Sequence, residues 1–320
     1  MIIAKLSDGL GNQMFQYALG KHLACRHDTE LRLDLSWFEN RTAHGGTDRT
    51  ITIDGFDIDF TRATEHDIQG IVGGKTAANL LRRYGHHLKY APRLGWRYFN
   101  YVREIQDGPD EYPLSWAYRR RFYPGVFDIG PDAYLDGYWQ APEYFEESAE
   151  IIRDDFSVTE PPEGQNADTM DAIESNVAVS IHVRRGDQVE QGPDWSDYGN
   201  ALPETYYEQA VKHITERISD PHLFVFSDDP EWARTSLEFE YPTTFVTHND
   251  GSTDYEDIRL MRHCDHHVIA NSTFSWWGAW LNSDPEKRVV APSPWKQFGY
   301  PDGIVQEWDL IPDDWTVLQY

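Results

Sequence analysis

The segment His182-Val183-Arg184-Arg185-Gly186-Asp187 packs an imidazole, two guanidinium groups and a carboxylate into one short stretch. It continues an apolar run beginning at Val177, which reads as a buried strand. Residues two apart on a strand point to one side, so His182 and Arg184 share a face. An imidazole beside a guanidinium suits a base edge and a phosphate. Arginine offers phosphate oxygens a fixed fork of donors and keeps its charge. The bland alternative is a pair of surface arginines bound to the many acids of the chain. Charges at the end of a buried strand are costly unless used or paired, which favours a functional role.

A second segment is Asn271-Ser272-Thr273-Phe274-Ser275-Trp276-Trp277-Gly278-Ala279-Trp280. Here a strand ends and a helix opens with hydroxyls and free N–H groups, a place for an anion. An ordinary N-cap is the competing reading for Ser272 and Thr273. Trp277 and Trp280 read as core, whereas Trp276 stays open to stacking on a sugar. A third segment, Gly9-Leu10-Gly11-Asn12-Gln13, reads as a tight turn between strand and helix, where glycine lets a ligand approach the backbone. Met14 breaks a Gly-x-Gly-x-x-Gly pattern and no Gly-Lys-Ser/Thr follows, so dinucleotide and P-loop readings are weak. Asp228-Asp229 and Asp57-Ile58-Asp59 imitate paired metal-binding acids, but so acidic a chain produces such pairs by chance. His263-Cys264-Asp265-His266-His267 imitates a zinc set, but it spans a helix–strand junction that would scatter the ligands.

The elements that must hold these groups alternate. Ile2–Leu6 reads as a strand, Gln13 to about Arg26 as a helix with Phe15, Ala18, Leu19 and Leu23 on one apolar side, and Leu31–Leu35 as a strand. Residues 50–127 are rich in aromatics and arginine with weak periodicity, and helices and loops are expected there. Thr159-Glu160-Pro161-Pro162-Glu163-Gly164 is the linker candidate, dividing the chain into domains 1–160 and 161–320. Beyond it, strands are predicted at 177–183, 222–227, 244–247, 267–270 and 289–292, with helices at 204–218, 254–264 and 274–281. Such alternation implies an α/β fold with parallel sheets and helices on both faces. Ligands of open α/β sheets bind at the carboxyl ends of the strands, where each motif above falls.

The chain has 320 residues and a formal net charge of −26. Nucleic acid is a poor partner for such a surface, because phosphate binding needs a basic footprint. The acids are spread along the whole chain, which fits a salt-rich, halophilic-type setting where carboxylate repulsion is screened. No apolar run reaches the length of a membrane span and no signal peptide is read at the N-terminus. A cytoplasmic protein is expected, with peripheral association at the cytoplasmic membrane face left open. The two cysteines, Cys25 and Cys264, are expected to stay reduced.

Taken in order, these segments resemble the α-1,2-fucosyltransferases of the bacterial and archaeal type, glycosyltransferase family 11. Gly9–Ala18 is similar to the family's N-terminal signature and His182–Asp187 to its first donor motif. Phe226-Ser227-Asp228-Asp229 with Trp232, and Asn271–Trp277, are similar to its later ones. The likeness spans nearly the whole chain and is weakest in the aromatic middle. It implies a GT-B-type fold, two Rossmann-like domains with parallel sheets, the second binding GDP-fucose and the first on the acceptor side. It implies that Arg184 contacts the β-phosphate, that His182 and Asp257 bind guanine, and that Ser272, Thr273 and Phe274 cradle the diphosphate. Gly11 and Asn12 would lie near the reacting sugar. The implied reaction is inverting transfer of fucose to O2 of a galactose-containing glycan, with no metal and no cofactor. Asp187 is the first choice of base, Glu190 the second, and a water held by Asn12 the third. Alternatives are a GDP-sugar transferase with another acceptor or linkage, such as a protein O-fucosyltransferase or a GDP-mannose enzyme. A glycan- or nucleotide-binding homologue that has lost catalysis would show a damaged donor motif, and this one is intact.

Overall fold

The computed structural model of the chain describes residues 1–39, 49–74, 97–98, 100–104, 122–186, 201–295 and 309–320. Among the described residues two units emerge from the contacts within the chain: residues 1–53, 58–104 and 122–155 in one, and residues 54–57 and 156–320 in the other. Each is an α/β unit built on its own six-stranded sheet. The expected architecture, Rossmann-like units with parallel sheets, is observed.

In the first unit, β1 (Ile2–Lys5) lies between β2 (Leu31–Asp34) and β6 (Ala133–Asp136), parallel to both. The sheet order is β3-β2-β1-β6-β5-β4, with β3 at Thr61–Arg62, β4 at Arg97–Tyr98 and β5 at Tyr101–Arg103. Only β4 runs antiparallel to its neighbour. Helix α1 (Leu10–Arg26) makes the crossover from β1 to β2. It begins three residues before the sequence reading: Gly9 is its N-cap, and the turn is made by Asp8, which adopts φ +68°. Phe15, Ala18, Leu19 and Leu23 are buried as expected, and the burial extends almost all round the helix. Gln13 and Gln16 are buried there because their amides bond the backbone of residues 7, 8 and 50. A short helix α2 (Ser36–Glu39) follows β2. The middle region, expected to hold helices and loops, also supplies strands β3, β4 and β5 beside helix α3 (Glu65–Val72). Thr64 and Asp67 close a capping box at the start of α3, which fixes where that helix begins. Helix α4 (Ala149–Asp155) ends the unit.

Residues 157–163 carry no helix or strand, and helix α5 (Gly164–Glu174) begins at the last residue of the linker candidate. The second sheet has the order β12-β11-β10-β7-β8-β9 and every pairing is parallel. Its strands are β7 (Val177–Val183), β8 (Pro221–Ser227), β9 (Thr243–Val246), β10 (His266–Val268), β11 (Val289–Ser293) and β12 (Thr316–Gln319). Helices α6 (Glu204–Thr215), α7 (Pro230–Ser236), α8 (Asp254–Arg262) and α9 (Thr273–Leu281) connect them. Strands β7 and β8 carry the middle of the core through Val179, Ile181, Leu223 and Val225. Being buried on both faces, they read as near-continuous apolar runs. In chain order this sheet runs 6-5-4-1-2-3, so strand order reverses between β7 and β10. That crevice is where parallel α/β sheets place their ligands.

Helix α9 is buried on every side from Ser275 to Leu281. Trp276, left open above for sugar stacking, is fully buried, and its indole N–H donates to the Leu310 carbonyl at 2.7 Å. Trp280 stacks on it and Trp277 meets it edge-on. A helix apolar all round has no face to offer a ligand, so all three tryptophans are core.

Candidate active site

The end of β7 is fixed by its neighbour β8. Val183 pairs with Ser227, so Arg184 and Asp228 face each other one residue beyond the ladder. The Asp228 carboxylate accepts the Arg185 N–H at 2.8 Å on one oxygen and the Gly186 N–H at 3.0 Å on the other. Its second oxygen also lies 3.1 Å from Arg184 Nη1. A side chain at position 186 would bring its Cβ to 3.0 Å from that oxygen, close enough to press on the carboxylate. Arg185 turns away: its guanidinium lies 3.8 Å from the ring centroid of Trp232, and Nε is 3.8 Å from Asp229. Asp229 in turn caps α7 by accepting the Trp232 N–H at 3.1 Å. The two adjacent arginines therefore make different contacts, Arg185 packing on Trp232 and Arg184 pairing with Asp228.

His182 sits just behind, 5% exposed, its ring centroid 5.3 Å from that of Phe274. Its Nδ1 is buried and has no hydrogen-bond partner among the described residues. Burial, with the Arg184 guanidinium adding, pushes its pKa down to about 3. The ring is therefore neutral across the working pH range, with one nitrogen a donor and the other an acceptor. Leaving such an atom unpaired in the interior is costly, so this nitrogen stands ready to pair with a polar group brought to the strand end.

Across the reversal point, β10 ends at Val268 and the chain turns through Asn271 into α9. Ser272 is the N-cap, its hydroxyl accepting the Phe274 N–H at 3.3 Å. Ser272, Thr273 and Phe274 are half-buried, whereas the rest of the helix is buried. Because β10 pairs with β7 at Val268 and Ile181, this helix N-terminus follows the strand next to the one that ends in His182 and Arg184. Phe274 touching His182 confirms that adjacency. A guanidinium, a helix N-terminus and a neutral imidazole thus meet at the carboxyl ends of two adjacent strands, an arrangement suited to an anion joined to a polar ring.

Asp257 lies in α8, which packs directly on α9. Its carboxylate accepts the Asn249 side-chain amide at 2.7 Å, and Asn249 exchanges two further bonds with Asn166. His248 Nε2 lies 2.7 Å from the same Asn166 oxygen. Although Asp257 keeps some surface, enclosure by protein raises its pKa to about 7. Asp254 and Glu256 push the same way and the Asn249 bond opposes them.

In the first unit, Gly11 and Asn12 stand at the start of α1, at the reversal point between β1 and β6. Asn12 Oδ1 accepts the Gln140 amide at 2.6 Å. The loop carrying Gln140 is held from below by Glu104, whose carboxylate accepts the Tyr138 and Trp139 N–H groups at 2.7 and 3.1 Å. Trp139 is at φ +55° there, and a Cβ at Gly137 would approach that of Glu104 to 2.4 Å. Gln140, Tyr138 and Glu104 are absent from the sequence reading. A signal was available, since Gly137-Tyr138-Trp139-Gln140 follows strand β6 directly.

Asp187 and Glu190 lie outside the described residues. Asp57 accepts from Thr159 N and Oγ1, so it ties the linker to residues 54–57. His267 is buried between Ser180 and Asn282, and His266 accepts the Arg288 N–H. Among the described residues no group of three or more His, Cys, Asp or Glu side chains could hold a metal ion. Nor is any described helix long and apolar enough to cross a membrane.

An α-1,2-colitosyltransferase of Escherichia coli is 30% identical to this chain over 325 residues, covering 100% of it and 99% of the relative. The O-antigen biosynthesis glycosyltransferase WbnK, also of Escherichia coli, is 29% identical over 301 residues, covering 91% and 93%. A solved structure of the α-1,6-fucosyltransferase NodZ soaked with GDP-fucose aligns over 88% of this chain and 91% of its own, with a TM-score of 0.43 and 14% identity. The pattern of the family described as glycosyl transferase family 11 matches residues 123–309, a stretch that takes in β6, Gln140, His182, Arg184, Asp257 and the start of α9. With the full-length likeness to the colitosyltransferase, that match places the chain in glycosyl transferase family 11, and it is a glycosyltransferase.

Proposed function

We propose that the chain transfers L-fucose from GDP-β-L-fucose to the 2-OH of a galactose-containing acceptor, inverting the donor's β-linkage to α. One observation carries this reading. His182, whose buried Nδ1 has no partner among the described residues, lies beside Phe274 of the α9 N-terminus and two residues before the Arg184 guanidinium, at the carboxyl ends of β7 and β10. Arg184 and the helix N-terminus at Thr273 take the diphosphate, with Ser272 and Phe274 shaping the turn that cradles it. His182 and Asp257 take the guanine, an ionised Asp257 accepting from its ring N–H and exocyclic amine. Gly11 and Asn12 contribute to sugar binding from the first unit, which carries the acceptor.

The acceptor oxygen attacks the anomeric carbon from the face opposite GDP, and that carbon's bond to the β-phosphate oxygen breaks. Negative charge grows on the β-phosphate, where Arg184 and the helix N-terminus stabilise it. The acceptor hydroxyl gives its proton to Asp187 in our preferred scheme, with Glu190 or a water held by Asn12 as the other acceptors. The charge offered to the leaving group comes from protein groups, so we expect turnover to need no metal. Losing one such contact costs about 2.7–4 kcal/mol of barrier. Arg184→Ala should therefore lower kcat by about two to three orders of magnitude. Arg185→Ala, which removes the stack on Trp232 and the ion pair with Asp229, should act mainly on stability. Wild-type turnover in Arg184→Ala would refute the assignment.

A second donor is favoured by the full-length relative named for α-1,2 transfer of colitose. Colitose is fucose without its 3-hydroxyl. Comparison of kcat/KM for GDP-fucose and GDP-colitose decides between them. A site that hydrogen-bonds the 3-hydroxyl rejects the deoxy sugar strongly.

A further inference from the structure

We propose that Asp228 is the positioning residue of the donor site: it locks the Arg184 guanidinium in place and fills an anion-binding turn that the diphosphate would otherwise enter. The proposal rests on the donor reading above.

The geometry is a convergence of three donors on one carboxylate. The N–H groups of Arg185 and Gly186 reach its two oxygens at 2.8 and 3.0 Å, and Arg184 Nη1 lies 3.1 Å from the second. Consecutive main-chain N–H groups pointing to one side form an anion nest. Asp228 occupies this nest with a group tethered to the end of β8. Two consequences follow. The guanidinium, on a flexible stem, gains a fixed partner on one edge and is held where the strand ends. A phosphate is kept off the two N–H groups, so it engages Arg184 and the α9 terminus instead. Gly186 belongs to the same device, because a Cβ there would meet the Asp228 oxygen at 3.0 Å. Asp229 does different work, capping α7 and facing Arg185.

A second negative charge beside a bound diphosphate opposes binding of the charged donor and of GDP. Asp228 therefore weakens ground-state binding while improving alignment for the transition state. That combination separates positioning from a purely structural role. In Asp228→Asn the amide oxygen can still accept a main-chain N–H, but the charge that holds the guanidinium is gone. A misplaced catalytic group costs about 100-fold in rate.

The experiment measures kcat in a transfer assay and Kd for GDP by calorimetry, on the wild type and Asp228→Asn, with Tm as a folding control. The expected result is a kcat lower by about 100-fold with GDP binding unchanged or tighter, within about threefold. Gly186→Ala, whose Cβ presses on the carboxylate and leaves its charge in place, should lower kcat by less with GDP binding unchanged within about threefold, and serves if Asp228→Asn does not fold. Turnover within about threefold of wild type overturns the proposal. So does a loss of turnover matched by an equal loss of GDP affinity, which is the mark of a structural role. If the wild type does not bind GDP, the donor reading itself fails. If it binds GDP and Asp228→Asn behaves as wild type, only this proposal fails.

Discussion

If Asp257 receives the guanine, donor binding must depend on pH in a definite direction. Burial sets its pKa at about 7, far above an ordinary aspartate. Guanine presents two N–H donors on that edge, so it pairs with the carboxylate and not with the neutral acid, which has lost an acceptor. Binding then favours the ionised form and releases a proton, and affinity rises with pH through 7. The ionised fraction grows from about one-tenth at pH 6 to about nine-tenths at pH 8, so Kd for GDP should fall about tenfold, or about 1.4 kcal/mol. The assay is calorimetry across that range in buffers of differing ionisation heat, which also counts the proton. The terminal phosphate of GDP titrates near pH 6, at about the value of a phosphoryl side chain, and adds its own slope. Asp257→Asn isolates that slope, since its profile contains the phosphate alone. Asn249 stabilises the charged form through its 2.7 Å bond, so Asn249→Ala should shift the wild-type profile to higher pH. Identical pH profiles for wild type and Asp257→Asn would refute the reasoning.

Other outcomes are expected from the same structure. Trp276→Ala should destabilise the fold by about 3–5 kcal/mol in denaturant titration, because it empties a fully buried site and orphans the Leu310 carbonyl. A rate defect in that variant without a stability defect would restore a ligand role for Trp276. Adding a chelator should leave turnover intact, and its abolition would overturn the metal-independent scheme. The net charge of −26 should make Tm rise with salt as the Debye length falls from about 30 Å at 0.01 M to about 3 Å at 1 M. A Tm indifferent to salt would remove the halophilic-type reading.

What the sequence made legible, and what it hid, follows from how each element is stabilised. Strands β7 and β8 announce themselves, since parallel strands covered on both faces are written as apolar runs. The polar residues His182 and Arg184 end the first of those runs, and the ring of His182 lies 5.3 Å from that of Phe274 at the start of α9. Strands β3, β4 and β5 are only two or three residues long, too short to carry a period, so the middle of the first unit was opaque. Helix α5 was missed because only Thr169, Met170 and Ile173 are buried along it. Asp228 looked like a chance acid of an acidic chain, because its partners are main-chain N–H groups that no side-chain pattern encodes. Trp276 could not be told from a ligand-stacking tryptophan, since its burial depends on Leu310 and Trp315, far away in sequence. Glu104 and Gln140 share that difficulty, being joined to their partners across distant segments.

The central claim is that Arg184, at the reversal point of the second sheet, holds the diphosphate of a GDP-sugar. Calorimetry with GDP-fucose, GDP-mannose and UDP-galactose, on wild type and Arg184→Ala, tests it most directly. The account predicts that GDP-fucose binds the wild type most tightly, that UDP-galactose does not bind, and that Arg184→Ala loses at least about tenfold in affinity. Equal affinity of the two proteins for GDP-fucose, or a preference of the wild type for UDP-galactose, would contradict it.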